Sequence, residues 1–307
     1  MTLQQLRQVL TIAESNSMNE AAKKLFVSQP NLSATVREVE EELGITVFMR
    51  NNRGITVTAE GEEFLGYAKQ VVEQYHLLEN RYLNVESKKK FSVSMQHYSF
   101  AVKAFVQLAK EVGMDEYEFA VHETKTKEVI DNVKNLKSEI GVLYLSDFNE
   151  KVLRKLFKEC DIEFKELFTC NTYVYLWKKH PLAGKKVITL DDLQEYPCLT
   201  FEQGVNNSFY YAEEMMSTYE YKRVIKADDR ATMLNLMVGL NGFTLCSGII
   251  SEDLNGDDYA AIPLKESEKM HIGYIKHKGT KLSKLGEIYI DAVSYTHLRA
   301  HETAANL

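Results

Sequence analysis

The chain has 307 residues, of which 45% are hydrophobic and 26% charged, with a formal net charge of −7 at pH 7. That length accommodates two domains with ample cores, the composition is that of an ordinary globular protein, and the acidic balance excludes a surface coated in basic residues for nucleic acid. No apolar run is long enough to span a bilayer and the N-terminus lacks a signal-peptide layout, so the expectation is a cytoplasmic protein with no membrane partner.

The first element predicted is a helix from Leu3 to about Ser15. Thr2 and Gln5 form a T-x-x-Q capping box, and Leu3, Leu6, Leu10 and Ala13 follow at helical spacing. A second capping box, Ser17 and Glu20, starts a short helix at Met18 whose small face, Ala21, Ala22 and Leu25, lets a neighbour approach closely. Phe26 and Val27 carry the chain through a turn. Ser28 is the next N-cap, with Pro30 tolerated in the first turn. The following helix repeats apolar residues at Leu32, Val36, Val39 and Leu43, and its other face begins Gln29, Asn31, Ser33, Thr35, Arg37. The two helices form a helix-turn-helix with a polar edge suited to reading base edges.

After Gly44, the β-type runs Ile45 to Arg50 and Ile55 to Thr58 flank NNRG, a turn signal, giving a two-stranded wing with Arg50 and Arg53 near its tip. Residues 1–58 hold six basic and six acidic side chains. Four of the acids crowd the second half of the recognition helix, and none lies between Ser28 and Arg37. Gln29 and Ser33 are therefore the leading base-reading candidates, Asn31, Thr35 and Arg37 are secondary, and Thr2, Ser28, Arg50 and Arg53 are backbone-positioning candidates.

Thr58 caps a long helix in which Phe64, Ala68, Val71, Tyr75, Leu78, Tyr82 and Val85 alternate by four and three residues. Such a seam on a helix leaving a small head implies dimerisation. Lys88, Lys89 and Lys90 break the pattern and mark a hinge. From Phe91 strands and helices alternate: FSVSM, FAVKAFVQLAKEV, YEFAVHE, KEVIDNVKNL and IGVLYL imply a parallel sheet with crossover helices. A second set begins near Leu167 with the strand CNTYVYLW, the turn HPLAG, the helix LDDLQEY and the strand CLTF. The loop EQGVNNS, a helix SFYYAEEMMSTY, a helix ATMLNLMVGL and a strand GFTLCSG follow. The strand HIGYIKH and helix SKLGEIYIDAV return to the first sheet. Residues 294–307 do not continue the pattern and read as translated adapter or vector sequence, outside the native fold.

In order along the chain, LRQVLTIAES, NEAAKKLFVSQPNLS, EEELGITVFMR and TAEG closely resemble the LysR-type transcriptional regulators, as do His180-Pro181-Leu182-Ala183 and VGLNGFTL. The resemblance covers residues 1 to about 293. It implies an α/β protein with an N-terminal winged helix-turn-helix, a long linker helix and a two-lobed effector domain like a periplasmic binding protein. The implied partners are a double-stranded DNA operator, a small-molecule effector of unknown identity, further copies in a homodimer or homotetramer, and RNA polymerase. Two positions depart from the family pattern: Ala34 stands where a basic residue is common, and Cys246 with Ser247 replaces an apolar, proline-containing end.

The resulting division is 1–58 for the DNA-binding head, 59–90 for the dimerising helix and hinge, and 91–293 for the effector domain. Within the last, lobe I takes about 91–166 and 266–293, and lobe II about 167–265. In open α/β sheets ligands meet the loops at the carboxyl ends of strands. That rule selects Gln96, His97, Ser99, Thr124, Thr126 and Ser146 in lobe I, with Tyr98 beside them. In lobe II it selects Gln203, Asn206, Ser208 and Cys246, with Glu202, Asn207 and Ser247 beside them.

No catalytic constellation, metal set or cofactor motif is expected. Cys160, Cys170, Cys198 and Cys246 lack metal-ligand spacing and read as reduced thiols, and His97 has no second histidine at ligand spacing. The leading function is a sequence-specific regulator gated by an effector that alters DNA-bound geometry. The alternatives are a regulator whose C-terminal domain serves only oligomerisation or protein contacts, and a solute-binding protein or enzyme.

Overall fold

The computed structural model describes residues 1–15, 17–51, 54–82, 88–113, 116–206 and 208–305, with side chains for all of these except 50, 51, 54, 80–82, 252 and 297–305. The chain divides into two compact units, 1–87 and 88–307. Among the described residues no helix is long and apolar enough to cross a membrane.

The first unit contains α1 (Leu3–Ala13), α2 (Met18–Lys24), α3 (Gln29–Leu43), β1 (Phe48–Asn51), β2 (Gly54–Val57) and α4 (Ala59–Tyr82). Each start is set by a side chain that satisfies an orphan amide. Thr2 Oγ1 accepts from the Gln5 amide at 3.2 Å while Gln5 Oε1 accepts from the Thr2 amide at 2.8 Å. Ser17 Oγ accepts from Glu20 N, Ser28 Oγ from Asn31 N and Thr58 Oγ1 from Gly61 N. Gly44 ends α3 in the left-handed conformation, φ +71°, which glycine adopts without steric cost. The apolar faces of α1, α2 and α3 meet in one core with Val47, Phe48 and Leu65, in which Val9, Ile12, Ala21, Leu32 and Val39 are fully buried.

Three of the four acidic residues of α3, Glu38, Glu40 and Glu42, have structural partners. Glu40 Oε1 accepts from the amides of Val47 and Phe48 at 2.7 and 3.0 Å, holding the entry to the wing. Glu38 accepts from Gln5 Nε2, and Glu42 pairs with the N-terminal ammonium. The long helix splits its expected seam between two faces. Ala68 is 2% exposed and packs with Val72 and Phe64 on Leu3, Leu6 and Leu10 of α1. Tyr75 lies under the Arg7 guanidinium, 5.4 Å from its ring centre. Val71 and Leu78, 52% and 55% exposed, share the outer face with Tyr67 at 60%. Val85 lies outside the described residues, as does the Tyr82 side chain.

The second unit opens with β3 (Lys89–Met95), so two of the three hinge lysines belong to a strand, where Lys89 and Lys90 pair with Tyr117 and Glu118. It continues through α5 (Ser99–Val112), β4 (Tyr117–Glu123), α6 (Thr126–Lys134), β5 (Ile140–Leu145), α7 (Glu150–Glu159) and β6 (Ile162–Asn171). The chain then crosses at Thr172 into a second lobe. That lobe holds β7 (Tyr173–Trp177), α8 (Leu190–Leu193), β8 (Cys198–Phe201), β9 (Val224–Ala227), α9 (Arg230–Leu240), β10 (Thr244–Cys246), α10 (Glu252–Asn255) and β11 (Tyr259–Pro263). It returns through β12 (Lys269–His277) and α11 (Lys284–Ala305).

The lobe I sheet has the order β4-β3-β5-β12-β6. It is mixed, which corrects the expectation of a parallel sheet: β4, β3 and β5 are parallel, whereas β12 runs antiparallel to both β5 and β6 because it enters from the second lobe. The unbroken apolar run of β5 is buried at every position, as a strand covered on both faces must be. Lobe II carries an antiparallel sheet β10-β7-β11 and a parallel pair β8-β9. Since β6 stays in the first sheet to Asn171, the crossover falls at Thr172 rather than near Leu167. There the outgoing and returning segments are tied: Thr172 N donates to Ser267 Oγ, Thr172 Oγ1 to Glu268 O, and Leu264 N to Thr172 O.

The stretch SFYYAEEMMSTY is not the expected helix. A single 3-10 turn covers Phe209–Tyr211, Ala212 is extended, and Met216 has φ +55°. Tertiary bonds to Glu213 and Glu214, described below, override the local helical pattern. Conversely, α11 continues as helix to Ala305, through residues expected to fall outside the pattern; among its described side chains, Tyr289 and Val293 are fully buried, against α5.

Two family-like motifs acquire physical reasons. His180 Nδ1 accepts from the Leu182 amide at 3.0 Å, so the Nε2 proton faces Asn241 O at 3.0 Å, and burial lowers the imidazole pKa; the neutral ring is a turn brace. A Cβ on Gly61 of the TAEG motif would lie 2.4 Å from the backbone oxygen of Val47. In an open helix, glycine to alanine gains about 1 kcal/mol. Here the overlap reverses the sign: Gly61→Ala is expected to destabilise the head by about 1–3 kcal/mol, read as a lower urea midpoint of its unfolding transition.

Candidate DNA-reading edge and effector cleft

Along the amino-terminal part of α3, Gln29, Ser33 and Arg37 follow one another at four-residue spacing on one side, and Asn31 and Thr35 lie on the opposite flank of the buried stripe Leu32, Val36 and Val39. Ser28, Asn31 and Arg37 are exposed, while Gln29, Ser33 and Thr35 are half-buried. Gln29 Nε2 donates to Ser33 Oγ at 3.0 Å, one turn along, so the side chains of the two leading candidates are tied to each other. Thr2 is exposed at the start of α1. Arg50 lies on β1 opposite Ile55, with its side chain outside the description, and Arg53 lies outside the described residues.

In the second unit, four of the ten predicted effector residues meet in one buried network that joins the lobes. From lobe I, Gln96 Nε2 donates to Thr126 Oγ1 at 2.6 Å, and Gln96 Oε1 accepts from Tyr98 OH and Tyr144 N. Thr126 N donates to Gln203 Oε1 of lobe II at 3.1 Å, and Thr126 Oγ1 donates to Tyr211 O. Gln203 Nε2 donates to Glu213 Oε1 at 2.9 Å. The other Glu213 oxygen accepts from the His97 backbone amide at 2.9 Å and lies 2.8 Å from its Nδ1. The His97 ring stacks on Phe201, centres 3.7 Å apart and planes within 6°. Nearer the surface, Arg230 pairs with Glu123, and Lys125 with Asp228 at 3.3 Å.

Beside this network lies a cleft cavity of about 80 Å³. Ser99 and Cys246 line it, as do His97, Tyr98 and Ser247. Its apolar wall is Met233, Leu234, Met237, Ile249, Ile250 and Met270. Ser99 is the first residue of α5 and Tyr98 is the N-cap, without a side-chain cap bond. The Thr244 hydroxyl, in the wall, is buried with no hydrogen-bond partner among the described residues.

The remaining predicted residues lie elsewhere. Thr124 bonds Glu128 at the start of α6. Ser146 is buried in the turn before α7, where its amide meets Asn149 Oδ1. Asn206 closes a turn onto Gln203 O. Ser208 and Glu202 are not in the cleft wall, and Asn207 lies outside the described residues. Among the described residues no cluster of His, Cys, Asp and Glu could hold a metal. Burial pushes the thiol pKa values of Cys170 and Cys246 up to about 12, so neither is a ready thiolate nucleophile.

Sequence reasoning missed Glu213, Glu214, Phe201, Arg230 and the methionine wall. The adjacent acids between tyrosines and methionines were the signal, hidden by the helical periodicity of the same stretch. Glu214 is buried, accepts from Phe201 N at 2.8 Å, and has its pKa raised to about 8 by desolvation and then by Glu213.

A winged helix-turn-helix followed by two α/β lobes around a cleft defines a ligand-responsive DNA-binding architecture. Residues 3–62 match the bacterial regulatory helix-turn-helix model of the LysR family, and residues 96–294 match the LysR substrate-binding domain. The chain belongs to the LysR family of transcriptional regulators. It is 26% identical over 247 residues to the transcriptional regulator BsdA of Bacillus subtilis, covering 77% of this chain and 80% of that one. The fold resembles a full-length OxyR variant from Pseudomonas aeruginosa (TM-score 0.69, 19% identity, 95% and 94% covered). It also resembles full-length CbnR, solved with its target DNA (TM-score 0.60, 17% identity, 96% and 100% covered).

Glu214 makes the stability of this domain depend on pH. An acid whose folded pKa is raised contributes stability that is fully present below its unfolded pKa of about 4.3 and lost as pH rises through about 8. Glu214→Gln keeps the shape and removes the titration. Its melting temperature should therefore fall less than that of the parent between about pH 6 and about pH 9; superimposable profiles would show that Glu214 does not titrate there.

Proposed function

We propose that the chain is an effector-gated, sequence-specific regulator acting on DNA in the cytoplasm, in which residues 1–58 read the operator, 59–90 pair the heads, and 91–293 bind a small molecule. The observation that carries this reading is the cleft cavity, lined by His97 and Glu213 and lying beside the Thr126–Gln203 bond between the lobes, in a chain that also carries a polar recognition edge. An effector in the cleft would lay an apolar body on Met233 and Met237 and a polar end near Ser99 and the first amides of α5, where a helix start favours an acceptor or anion. The cavity is small, so entry of a larger ligand requires the bridging bonds to exchange for ligand contacts. The difference in its affinity for the two arrangements supplies the switch. A homotetramer and contact with RNA polymerase belong to the same reading.

The direct test is selection of bound sequences from a random DNA pool, followed by footprinting on the recovered operator against a metabolite panel. A footprint or affinity that changes with one compound supports gating. If none changes it while DNA binding persists, the C-terminal domain serves assembly or protein contacts instead. Gln29→Ala should cost about 1–3 kcal/mol at one base pair of each half-site and relax preference there, measured by competition between operator variants. Equal weakening on every sequence would show that Gln29 reads no base.

The exposed outer stripe Tyr67, Val71 and Leu78 of α4 is the pairing face proposed for the heads. Val71→Asp should weaken self-association at least about tenfold in sedimentation equilibrium, since an unpaired carboxylate would be buried at the seam. Unchanged association would place the dimer contact elsewhere.

A further inference from the structure

A second and larger chamber, about 600 Å³, lies wholly within lobe II, between the β8-β9 pair and the irregular stretch 208–221. It shares Phe201, Leu245 and Glu214 with the cleft cavity as a common wall, but its other lining residues are its own. We propose that this chamber is a second small-molecule site, and that it takes a neutral aromatic of one or two rings.

Its volume is in the range of small-molecule sites, roughly 300–1,000 Å³. The walls are ring-rich: Phe209, Tyr219 and Tyr221 with Met215 offer faces on which a planar ring stacks or meets sulfur edge-on. The charges favour a neutral occupant. The lining holds one cation, Lys226, which already lies 3.9 Å from Glu202, and the lining acid Glu220 offsets it. The inner wall carries the Cys198 thiol and the Glu214 carboxyl, and burial raises the pKa of both, which disfavours charge there. Tyr221 contributes its ring to the wall, while its hydroxyl is turned away into the protein and is closed to a molecule the size of water. The covering stretch forms only one 3-10 turn despite its helical pattern, so the chamber is roofed by chain without a continuous backbone hydrogen-bond ladder of its own.

The test uses the full chain with 2-naphthol and, as the anionic partner of the same ring system, 2-naphthoate, read by thermal unfolding. At roughly 100 times its dissociation constant, 2-naphthol should raise the melting temperature by roughly 5–10 °C, and 2-naphthoate should not. Thr218→Trp fills the chamber from an exposed position and should abolish the rise without lowering the unliganded melting temperature. Ile250→Phe, on the cleft wall and outside the lining of the chamber, should leave the rise intact. The proposal is overturned if 2-naphthol gives no rise, if the rise survives Thr218→Trp, or if 2-naphthoate binds equally well.

Discussion

The buried carboxylate of Glu213 constrains the second unit more than any other group. A carboxylate removed from water must be met by donors on both oxygens, and here they come from two different lobes: Gln203 from one, and the amide and ring of His97 from the other. Three consequences follow. The stretch around Glu213 cannot coil into a helix and also aim that side chain inward, so its helical pattern is overridden. The lobes cannot part without leaving the carboxylate with half its partners. The Phe201 ring, stacked on His97, is held as the partition between cleft and lobe II chamber.

Leaving a buried polar group without a hydrogen-bond partner costs about 1–3 kcal/mol, so about 2–6 kcal/mol for the two donors that His97 gives Glu213, and moving a two-state equilibrium from 1:99 to 99:1 needs about 5.5 kcal/mol of differential affinity. These are of the same size. One ligand that replaces the donors to Glu213 could therefore move the lobes, whereas a ligand that merely fills the cavity beside an intact network could not. Under the proposed gating, the contact between His97 and Glu213, more than the apolar wall, is where occupancy would become motion.

Much of the head was legible because its signals are local. Thr2, Ser17, Ser28 and Gly44 act within one turn of chain, and local chemistry of that kind survives without knowledge of the tertiary fold. The β5 run and the α9 periodicity were legible for the same reason. What escaped depended on partners far away in sequence. The reversal of β12 relative to β5 arises from a return path through a second lobe, and the irregular stretch at 208–219 from acids whose donors lie over a hundred residues upstream and just before it. The effector residues divide on the same line. Gln96, Thr126 and Gln203 were reached by a rule about strand ends, but that rule also selected Thr124 and Ser146, whose polar groups serve their own turns.

The acids of α3 show why a head with no net charge need not be a poor reader of DNA. Glu38, Glu40 and Glu42 are spent on Gln5, the wing amides and the chain's own ammonium, so their charge is partly answered inside the unit. What remains at the amino-terminal edge is polar, with Gln29 bonded to Ser33. Such an edge supplies discrimination but little of the phosphate attraction that dominates total affinity. A single head would then bind weakly everywhere and slightly better at its site. Joining two heads converts the second contact into an intramolecular one, and the gain is greatest when the spacing is fixed. The division of α4 into an inner face on α1 and an outer apolar stripe suits that requirement: the inner contacts fix the helix to its head, and the stripe leaves it free to fix a second head to the first.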